Sequence, residues 1–207
     1  IAILGASRGL GRALAQKLKA HGLLLIARKE NLLLQLQQDL GAANAQVMVS
    51  DFSKIEHQKV VLGALKAFEP DVILYCAGGG PFGNFESKEI KDHHWAMEVN
   101  FLFPANLLHT ALRSEISNLK EILFVGSAIA EDKPDPKAAS YAAAKHALKG
   151  LITSVQNEQR SSSLKIHLFS PGYMDTDMLP KDAWPRKANL AEDVDLIANR
   201  IVAKLEL

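Results

Sequence analysis

Tyr141 and Lys145 are the residues whose types and spacing most clearly predict chemistry. They stand four residues apart at the start of a predicted helix, and this spacing places both side chains on one helical face with Cβ atoms ~5–6 Å apart. A phenol has a pKa of ~10 and is a weak acid–base catalyst at neutral pH, but a nearby ammonium favours the phenolate and lowers that pKa. The pair therefore predicts a group that donates and accepts a proton. Ser127, at the end of a predicted strand, could hydrogen-bond a substrate oxygen beside Tyr141.

A glycine-rich turn, Gly5-Ala6-Ser7-Arg8-Gly9-Leu10-Gly11, separates a short apolar run from an amphipathic stretch. A strand, such a turn and a helix N-terminus together present backbone N–H groups to a pyrophosphate. Glycine lets the backbone approach that anion closely. The spacing is not the common G-x-G-x-x-G fingerprint, and on its own the motif also fits a tight turn without a ligand.

The residues after the second predicted strand favour NADP(H) over NAD(H). That strand ends in Ala27-Arg28-Lys29, and the first carboxylate is Glu30. An acidic residue there holds the ribose hydroxyls of NAD, whereas an arginine suits a 2′-phosphate. Arg28 and Arg8 could form a guanidinium clamp on that phosphate. The alternative for Arg28 is a solvated residue at a helix start. Asp51, after the third strand, is expected to meet the adenine ring.

The elements that must position these residues alternate regularly along the chain. Short apolar runs between longer amphipathic stretches are typical of βαβ units. The predicted strands are Ile1–Leu4, Leu23–Ala27, Gln46–Ser50, Val72–Cys76, Glu121–Gly126 and Lys165–Phe169. The predicted helices are Gly9–Ala20, Lys29–Leu40, Ile55–Ala67, Ser87–Ser114, Ser140–Arg160 and Ala191–Leu205. The predicted fold is an α/β, Rossmann-type, doubly wound parallel sheet in three layers, forming one domain over residues 1–207.

Composition disfavours several other classes of protein. The formal net charge is +1, which provides no basic field for nucleic acid. The longest apolar runs fall far below the ~20 residues of a membrane-spanning helix, so no membrane partner is expected. Cys76 is the single cysteine, so no internal disulfide forms and a cytoplasmic location is expected. The histidines lack metal-ligand spacing, and no metal site is predicted. The chain opens at Ile1 without an initiator methionine, and we expect a few residues to precede it.

Taken in order, these motifs resemble the short-chain dehydrogenase/reductase family from Gly5 to about Thr176. The glycine turn matches the family's cofactor loop, Ala77-Gly78 the end of its Asn-Asn-Ala-Gly element, and Pro171-Gly172 with Thr176 its nicotinamide segment. The catalytic set that the resemblance implies is Asn100, Ser127, Tyr141 and Lys145. The implied cofactor-binding residues are Gly5, Ser7, Arg8, Gly9, Leu10, Gly11, Arg28, Asp51, Phe52, Ala77, Gly78, Gly79, Lys145, Pro171, Gly172 and Thr176.

The resemblance implies hydride transfer from NADPH to a carbonyl carbon while Tyr141 protonates its oxygen and Ser127 orients it. Lys145 would lower the tyrosine pKa and hold the nicotinamide ribose, and Asn100 would steady a water on the lysine side. The chain departs from the family at Tyr75 and Cys76, which replace the two asparagines of the Asn-Asn-Ala-Gly element. Bonds that those amides make in relatives must therefore be made otherwise.

The substrate and the oligomer are less defined. Residues 173–189 are expected to cover the substrate, and their Met174, Met178, Leu179 and Trp184, with Phe82 and Phe85 of another loop, suggest a small carbonyl or alcohol with some apolar surface. Alternatively, these side chains only cover the core. The chain ends soon after its last helix, so a tetramer through a seventh strand is not expected, whereas a homodimer through helices 87–114 and 140–160 is. Two other functions stay open: a 3-oxoacyl thioester reductase and a non-catalytic NADP-binding sensor or scaffold.

Overall fold

The parallel sheet predicted from the apolar runs is present. The structure is a computed structural model that describes residues 1–131, 134–159, 163–179, 181 and 184–207. Its strands are β1 (Ala2–Leu4), β2 (Leu23–Ala27), β3 (Ala45–Val49), β4 (Val72–Tyr75), β5 (Glu121–Val125) and β6 (Lys165–Phe169). All pair in parallel in the order β3-β2-β1-β4-β5-β6. This order confirms the predicted doubly wound fold and puts its switch point between β1 and β4.

Helices cover both faces of the sheet and complete the three layers. They are α1 (Gly9–Lys17), α2 (Glu30–Asp39), α3 (Ile55–Phe68), α4 (Ile90–Met97), α5 (Phe103–Leu112), α6 (Ala139–Glu158), α7 (Trp184–Lys187) and α8 (Val194–Val202). One apolar core lies between the sheet and α1, α2 and α8. A second core lies between the other face and α3, α5 and α6. The central strands are buried on both faces, which explains their uninterrupted apolar sequences.

The long helix predicted over Ser87–Ser114 differs most from its prediction. The Ser87 hydroxyl donates to the Asn84 carbonyl in a separate 3₁₀ turn, and extended residues at 88 and 89 delay the helix to Ile90. The helical run then continues to Leu112, but residues 98–102 form a π-helical segment. Such segments occur mostly as single turns within α-helices, and they are frequent at functional sites.

The other differences concern element ends. The first helix stops at Lys17, three residues early, and the last spans only Val194–Val202. The four-residue α7 was not predicted and breaks the strict alternation. The predicted end of the fifth long helix, Arg160, lies outside the described residues. In the part of the chain that the structure describes, no helix is long and apolar enough to cross a membrane.

Candidate active site

The glycine turn packs tightly against the end of β4. Gly5 has φ +93°, and a Cβ there would lie 2.5 Å from the Ala77 nitrogen. A Cβ on Gly11 would lie 2.3 Å from the Gly5 carbonyl oxygen, so neither position accepts a side chain. Helix α1 begins at Gly9 with no side-chain cap from the described residues and no acidic residue in its first turn. Its first N–H groups therefore face the cleft above the turn, as an anion site requires.

The carboxyl ends of β1, β2, β3 and β4 border one cleft above this turn. Most of the predicted cofactor residues line it: Gly5, Ser7, Arg8, Gly9, Leu10, Gly11, Arg28, Asp51, Phe52, Ala77, Gly78 and Thr176. Gly79, Lys145, Pro171 and Gly172 are not among its lining residues. The cofactor residues predicted from the sequence did not include other lining residues, which are Ala27, Lys29, Cys76, Trp95, Val99, Val125, Met174, Asp177 and Met178. Met174 and Met178 were expected to cover the substrate instead.

Asp51 and Arg28 lie at the β2–β3 end of the cleft. The Asp51 carboxylate accepts hydrogen bonds from the Ser53 amide at 3.0 Å and the Ser53 hydroxyl at 2.8 Å. Partial burial disfavours its charge, but these bonds and the charges of Arg28 and Lys54 outweigh that cost, so the pKa of Asp51 is lowered. The exposed Arg28 side chain stacks on Trp95, with its Cζ 4.8 Å from the indole centroid. Arg28 is exposed near the start of α2, as the alternative expected, but it also contacts Trp95 at the cleft.

Tyr141 and Ser127 meet at the carboxyl ends of β4 and β5. Ser127 caps a short 3₁₀ turn by accepting the Ile129 amide at 3.3 Å, and its hydroxyl is near enough to the Tyr141 phenol to lower the phenol's pKa. A Cβ on Gly80 would lie 3.0 Å from the Tyr141 Cβ, so this glycine loop runs beside the base of the Tyr141 side chain. Burial raises the pKa of Tyr141 above its usual value, and the Ser127 hydroxyl opposes that rise. The phenol is therefore protonated at neutral pH.

Lys145 shares the helical face of Tyr141, as the spacing predicted. Its Nζ lies 5.6 Å from the Tyr141 ring centroid and donates to the Val125 carbonyl at 2.7 Å. Burial lowers the pKa of Lys145 to about 8. The nearby Cys76 has the opposite effect on this pKa but is the smaller influence. The lysine was expected to lower the pKa of Tyr141. The pKa is raised instead, because desolvation of the phenol is the largest influence on it.

Asn100, in the π-helical segment, binds the glycine loop. Its amide donates to the Gly79 and Ala96 carbonyls, both at 2.6 Å, and its Oδ1 accepts the Gly79 N–H at 3.1 Å. Nearby, the Tyr75 hydroxyl donates to the Val99 carbonyl at 2.6 Å in the buried core. This bond ties β4 to the helical run, so a phenol makes the link at one position where relatives carry an asparagine. The two contacts together position the loop over the cleft.

The predicted lid, residues 173–189, is described except for 180, 182 and 183. Thr176 lies over the glycine turn, with its Cγ2 3.3 Å from where a Gly9 Cβ would stand. Arg186 holds this segment: its guanidinium donates to the Thr176 carbonyl at 2.7 Å and to the Leu179 carbonyl at 3.0 Å, and it pairs with Asp175. Sequence reasoning missed Arg186, because an arginine near a proline in a polar stretch carries no distinctive signal.

A second contact joins the lid to the loop after β5. The Tyr173 hydroxyl donates to Asp135 at 2.8 Å, and its ring packs edge-on against Trp184 at 5.5 Å between centroids. Burial and the Asp135 charge raise the pKa of Tyr173 to about 12. Phe82 and Phe85 remain exposed in the opposing loop. Among the described residues, no group of three or more His, Cys, Asp or Glu side chains is placed to hold a metal ion.

A glycine-turn cleft at the switch point of a 3-2-1-4-5-6 sheet, with a tyrosine and a lysine beside it, defines a dinucleotide-binding class of protein. The family model described as short chain dehydrogenase matches residues 1–186. The chain belongs to the short-chain dehydrogenase family.

Curated relatives agree with this membership. The chain is 32% identical over 186 residues to the hydroxysteroid 11-beta-dehydrogenase 1-like protein of Xenopus tropicalis, covering 85% of this chain and 64% of that protein. It is 30% identical over 183 residues to the 3-oxoacyl-(acyl-carrier-protein) reductase FabG of Escherichia coli (strain K12), covering 85% of this chain and 73% of that protein. The chain thus spans less than two thirds of the length of the first of these relatives.

Solved structures share the fold. BdcA in complex with NADPH superposes with a TM-score of 0.84 at 22% identity, over 97% of this chain and 84% of that one. A metagenomic short-chain oxidoreductase in complex with NADP superposes with a TM-score of 0.80 at 27% identity, over 98% of this chain and 89% of that one.

Proposed function

We propose that this chain is an NADPH-dependent oxidoreductase that interconverts a ketone or aldehyde with its alcohol, with Tyr141 as general acid and base. One observation carries the proposal. The Tyr141 phenol, beside Ser127, lies at the same carboxyl edge of the sheet as the glycine-turn cleft. Hydride and proton donors can therefore reach one C=O group from two sides.

The choice of NADPH is supported by the charges of the cleft. Arg8 and Arg28 are exposed and line it, and β2 ends without a carboxylate at Ala27. Planar guanidinium groups suit a 2′-phosphate, whereas NAD would require an acidic partner for its ribose hydroxyls. Relatives solved with NADP or NADPH have the same fold.

The chain's own residues divide the work of reduction. NADPH, when bound, supplies the hydride to the carbonyl carbon. Tyr141 gives its proton to the carbonyl oxygen, which Ser127 orients by a hydrogen bond, and the product is the alcohol. A phenol with a raised pKa is protonated at neutral pH, so the site favours reduction, and alcohol oxidation gains as the pH rises.

Lys145 and Asn100 support this proton transfer. The Lys145 ammonium, close to the Tyr141 ring, favours the phenolate that remains after proton donation, and it is near enough to Gly78 to reach a ribose held in the cleft. Asn100 orders the glycine loop through its bonds to Gly79. The water that Asn100 would steady beside the lysine stays a prediction.

The experiment that tests the proposal is NADPH oxidation, followed by absorbance, with a panel of ketones, aldehydes and diketones. In Tyr141→Phe we expect turnover to fall at least about a hundredfold, because general acid catalysis is worth that much or more. NADPH affinity should stay within about twofold of wild type, since the phenol makes no contact in the dinucleotide cleft. Unchanged turnover in this variant would remove Tyr141 from its role.

A second candidate is a 3-oxoacyl thioester reductase using the same residues. The identity of 30% to the Escherichia coli reductase favours it. Adding 3-oxoacyl thioesters to the panel separates the two, because a thioester reductase should prefer them to simple ketones. If NADPH binds and no carbonyl compound turns over, the chain is instead a dinucleotide sensor.

The exposed apolar side chains around the cleft support a substrate with apolar surface and a homodimer. Phe82, Phe85, Met178 and Trp184 are exposed on its substrate side. The run from α4 to α5 also exposes Ile90 and Leu102, and we propose that this run and α6 form the dimer surface. Sedimentation at micromolar concentration would test that dimer.

A further inference from the structure

Trp95 and Arg28 form a stacked pair at one end of the dinucleotide cleft. Arg28 directly follows β2, whereas Trp95 comes from α4 on another part of the chain, and both line the cleft. The guanidinium carbon lies 4.8 Å from the indole centroid. No motif of the sequence pointed to Trp95, and no step of the proposed reaction uses it.

The stack leaves the hydrogen-bonding edge of Arg28 available. A guanidinium carries its N–H donors around its rim, so covering one face with an indole blocks none of them. It also restrains a long side chain that would otherwise lose conformational freedom on binding a phosphate. The indole therefore restrains the Arg28 guanidinium in a position from which its N–H groups can bind an anion.

Packing, rather than hydrogen bonding, fixes the indole. A Cβ on Gly79 would lie 3.2 Å from the Trp95 Cη2, so the ring lies against glycine backbone, and Asn100 holds that glycine from both sides. The indole Nε1 is buried and has no hydrogen-bond partner among the described residues. A flat apolar ring is thus what the position uses, and the N–H contributes nothing to it.

We propose that Trp95 is a positioning residue that sets the preference for NADPH over NADH by holding the Arg28 guanidinium toward the 2′-phosphate. The inference rests on the proposed function, because it concerns the dinucleotide of that reaction. It predicts that Trp95 affects only the ligand that carries the phosphate. A merely structural tryptophan would affect both dinucleotides alike.

The test is to titrate NADPH and NADH separately into folded variants by calorimetry. Trp95→Met and Trp95→Leu, which remove the flat ring, should weaken NADPH about five- to tenfold, the change that one cation–π contact supports, and NADH by less than about twofold. Trp95→Phe, which keeps a ring face, should retain most of the preference. His94→Leu, an exposed neighbour on the same helix, is the matched control and should change neither affinity.

A double-mutant cycle shows whether Trp95 affects NADPH affinity through Arg28 or independently of it. In an Arg28→Leu background, replacing Trp95 should cause no further loss of NADPH affinity, because the indole acts through the arginine. Equal weakening of both dinucleotides by Trp95→Met, or a full additional loss in the Arg28→Leu background, would overturn the inference. If wild type binds neither dinucleotide, the proposed function fails instead.

A measurement with the indole in place covers the case in which neither replacement folds. The chain has two tryptophans, so Trp184→Phe leaves the fluorescence of Trp95 alone. Adenosine 2′,5′-bisphosphate should change that emission more than adenosine 5′-monophosphate at equal occupancy. Identical responses to the two probes would contradict the inference.

Discussion

At the scale of single residues, desolvation dominates the site. Beside the cleft Lys145 is buried and Tyr141 partly buried. Desolvation favours the neutral form of each side chain, raising the pKa of the phenol and lowering that of the ammonium. The Val125 carbonyl compensates part of the cost of burying the lysine by accepting its hydrogen bond. The site thus holds the protonated phenol of Tyr141 next to Lys145, whose ammonium loses its proton more readily than that of an ordinary lysine.

The lowered pKa of Lys145 makes a prediction about stability. Its folded pKa is about 8 and its ordinary value 10.5, so between these values the unfolded chain binds more protons and the unfolding free energy rises with pH. Relative to Lys145→Met, wild type should gain up to about 1 kcal/mol between pH 8 and pH 9, measured by urea denaturation. Parallel curves for the two proteins would contradict the burial of a charged lysine. The Cys76 thiol, with a pKa raised from 9.0 to about 12, has the opposite effect as the pH approaches 9, but both proteins carry it, so the comparison with Lys145→Met separates the effect of the lysine.

At the scale of elements, the cleft depends on contacts between segments distant in sequence. The Tyr75 hydroxyl joins β4 to the π-helical segment. Within the lid, Arg186 of α7 binds the Thr176 carbonyl, 10 residues earlier in the chain. Neither contact follows from periodicity, since each depends on a side chain meeting a backbone carbonyl of another element. The glycine turn, in contrast, is a local feature, and its sequence predicted it correctly.

Arg186 supplies the prediction at this scale. Arg186→Lys removes the planar fork that binds the Thr176 and Leu179 carbonyls together, so the segment over the glycine turn should lose order. NADPH affinity should fall about tenfold, or ~1.4 kcal/mol, measured by calorimetry. Arg200→Lys is the matched control, because Arg200 pairs with Glu192 on the exposed surface and should change affinity by less than about twofold. Equal effects in the two variants would show that Arg186 does not order the lid.

At the scale of the whole molecule, the fold followed from the sequence more closely than the site did. The strands Leu23–Ala27 and Lys165–Phe169 have their predicted bounds. The first is buried on both faces and appears as one apolar run between polar breaks. The pair Tyr141 and Lys145 and the glycine turn were found from local spacing, Ser127 from its place at the end of a strand, and Asn100 from the resemblance to the family. Trp95 and the π-helical segment were not, since their significance arises only when the fold brings Trp95 to Arg28 and Asn100 to Gly79.

Ligand binding provides a prediction for the whole chain. A dinucleotide in the cleft would contact the ends of several central strands at once, so it should stabilise the fold as a unit. At a hundred times its dissociation constant, NADPH should raise the unfolding free energy by about 2.7 kcal/mol, measured by denaturation with and without the dinucleotide. Tyr141→Phe should keep this stabilisation. Its absence in wild type would mean that the cleft binds no NADPH.

The π-helical segment at residues 98–102 makes chain length, and not only side-chain identity, a determinant of this protein. A π turn contains one residue more than an α turn, so deleting a single residue there would let residues 90–112 close into a regular helix. Because the π turn is what accommodates the extra residue, the helical parts on either side would keep their orientations, and only the residues within the segment would change position. Asn100 would then leave the position from which it binds Gly79, although every remaining residue would be unchanged.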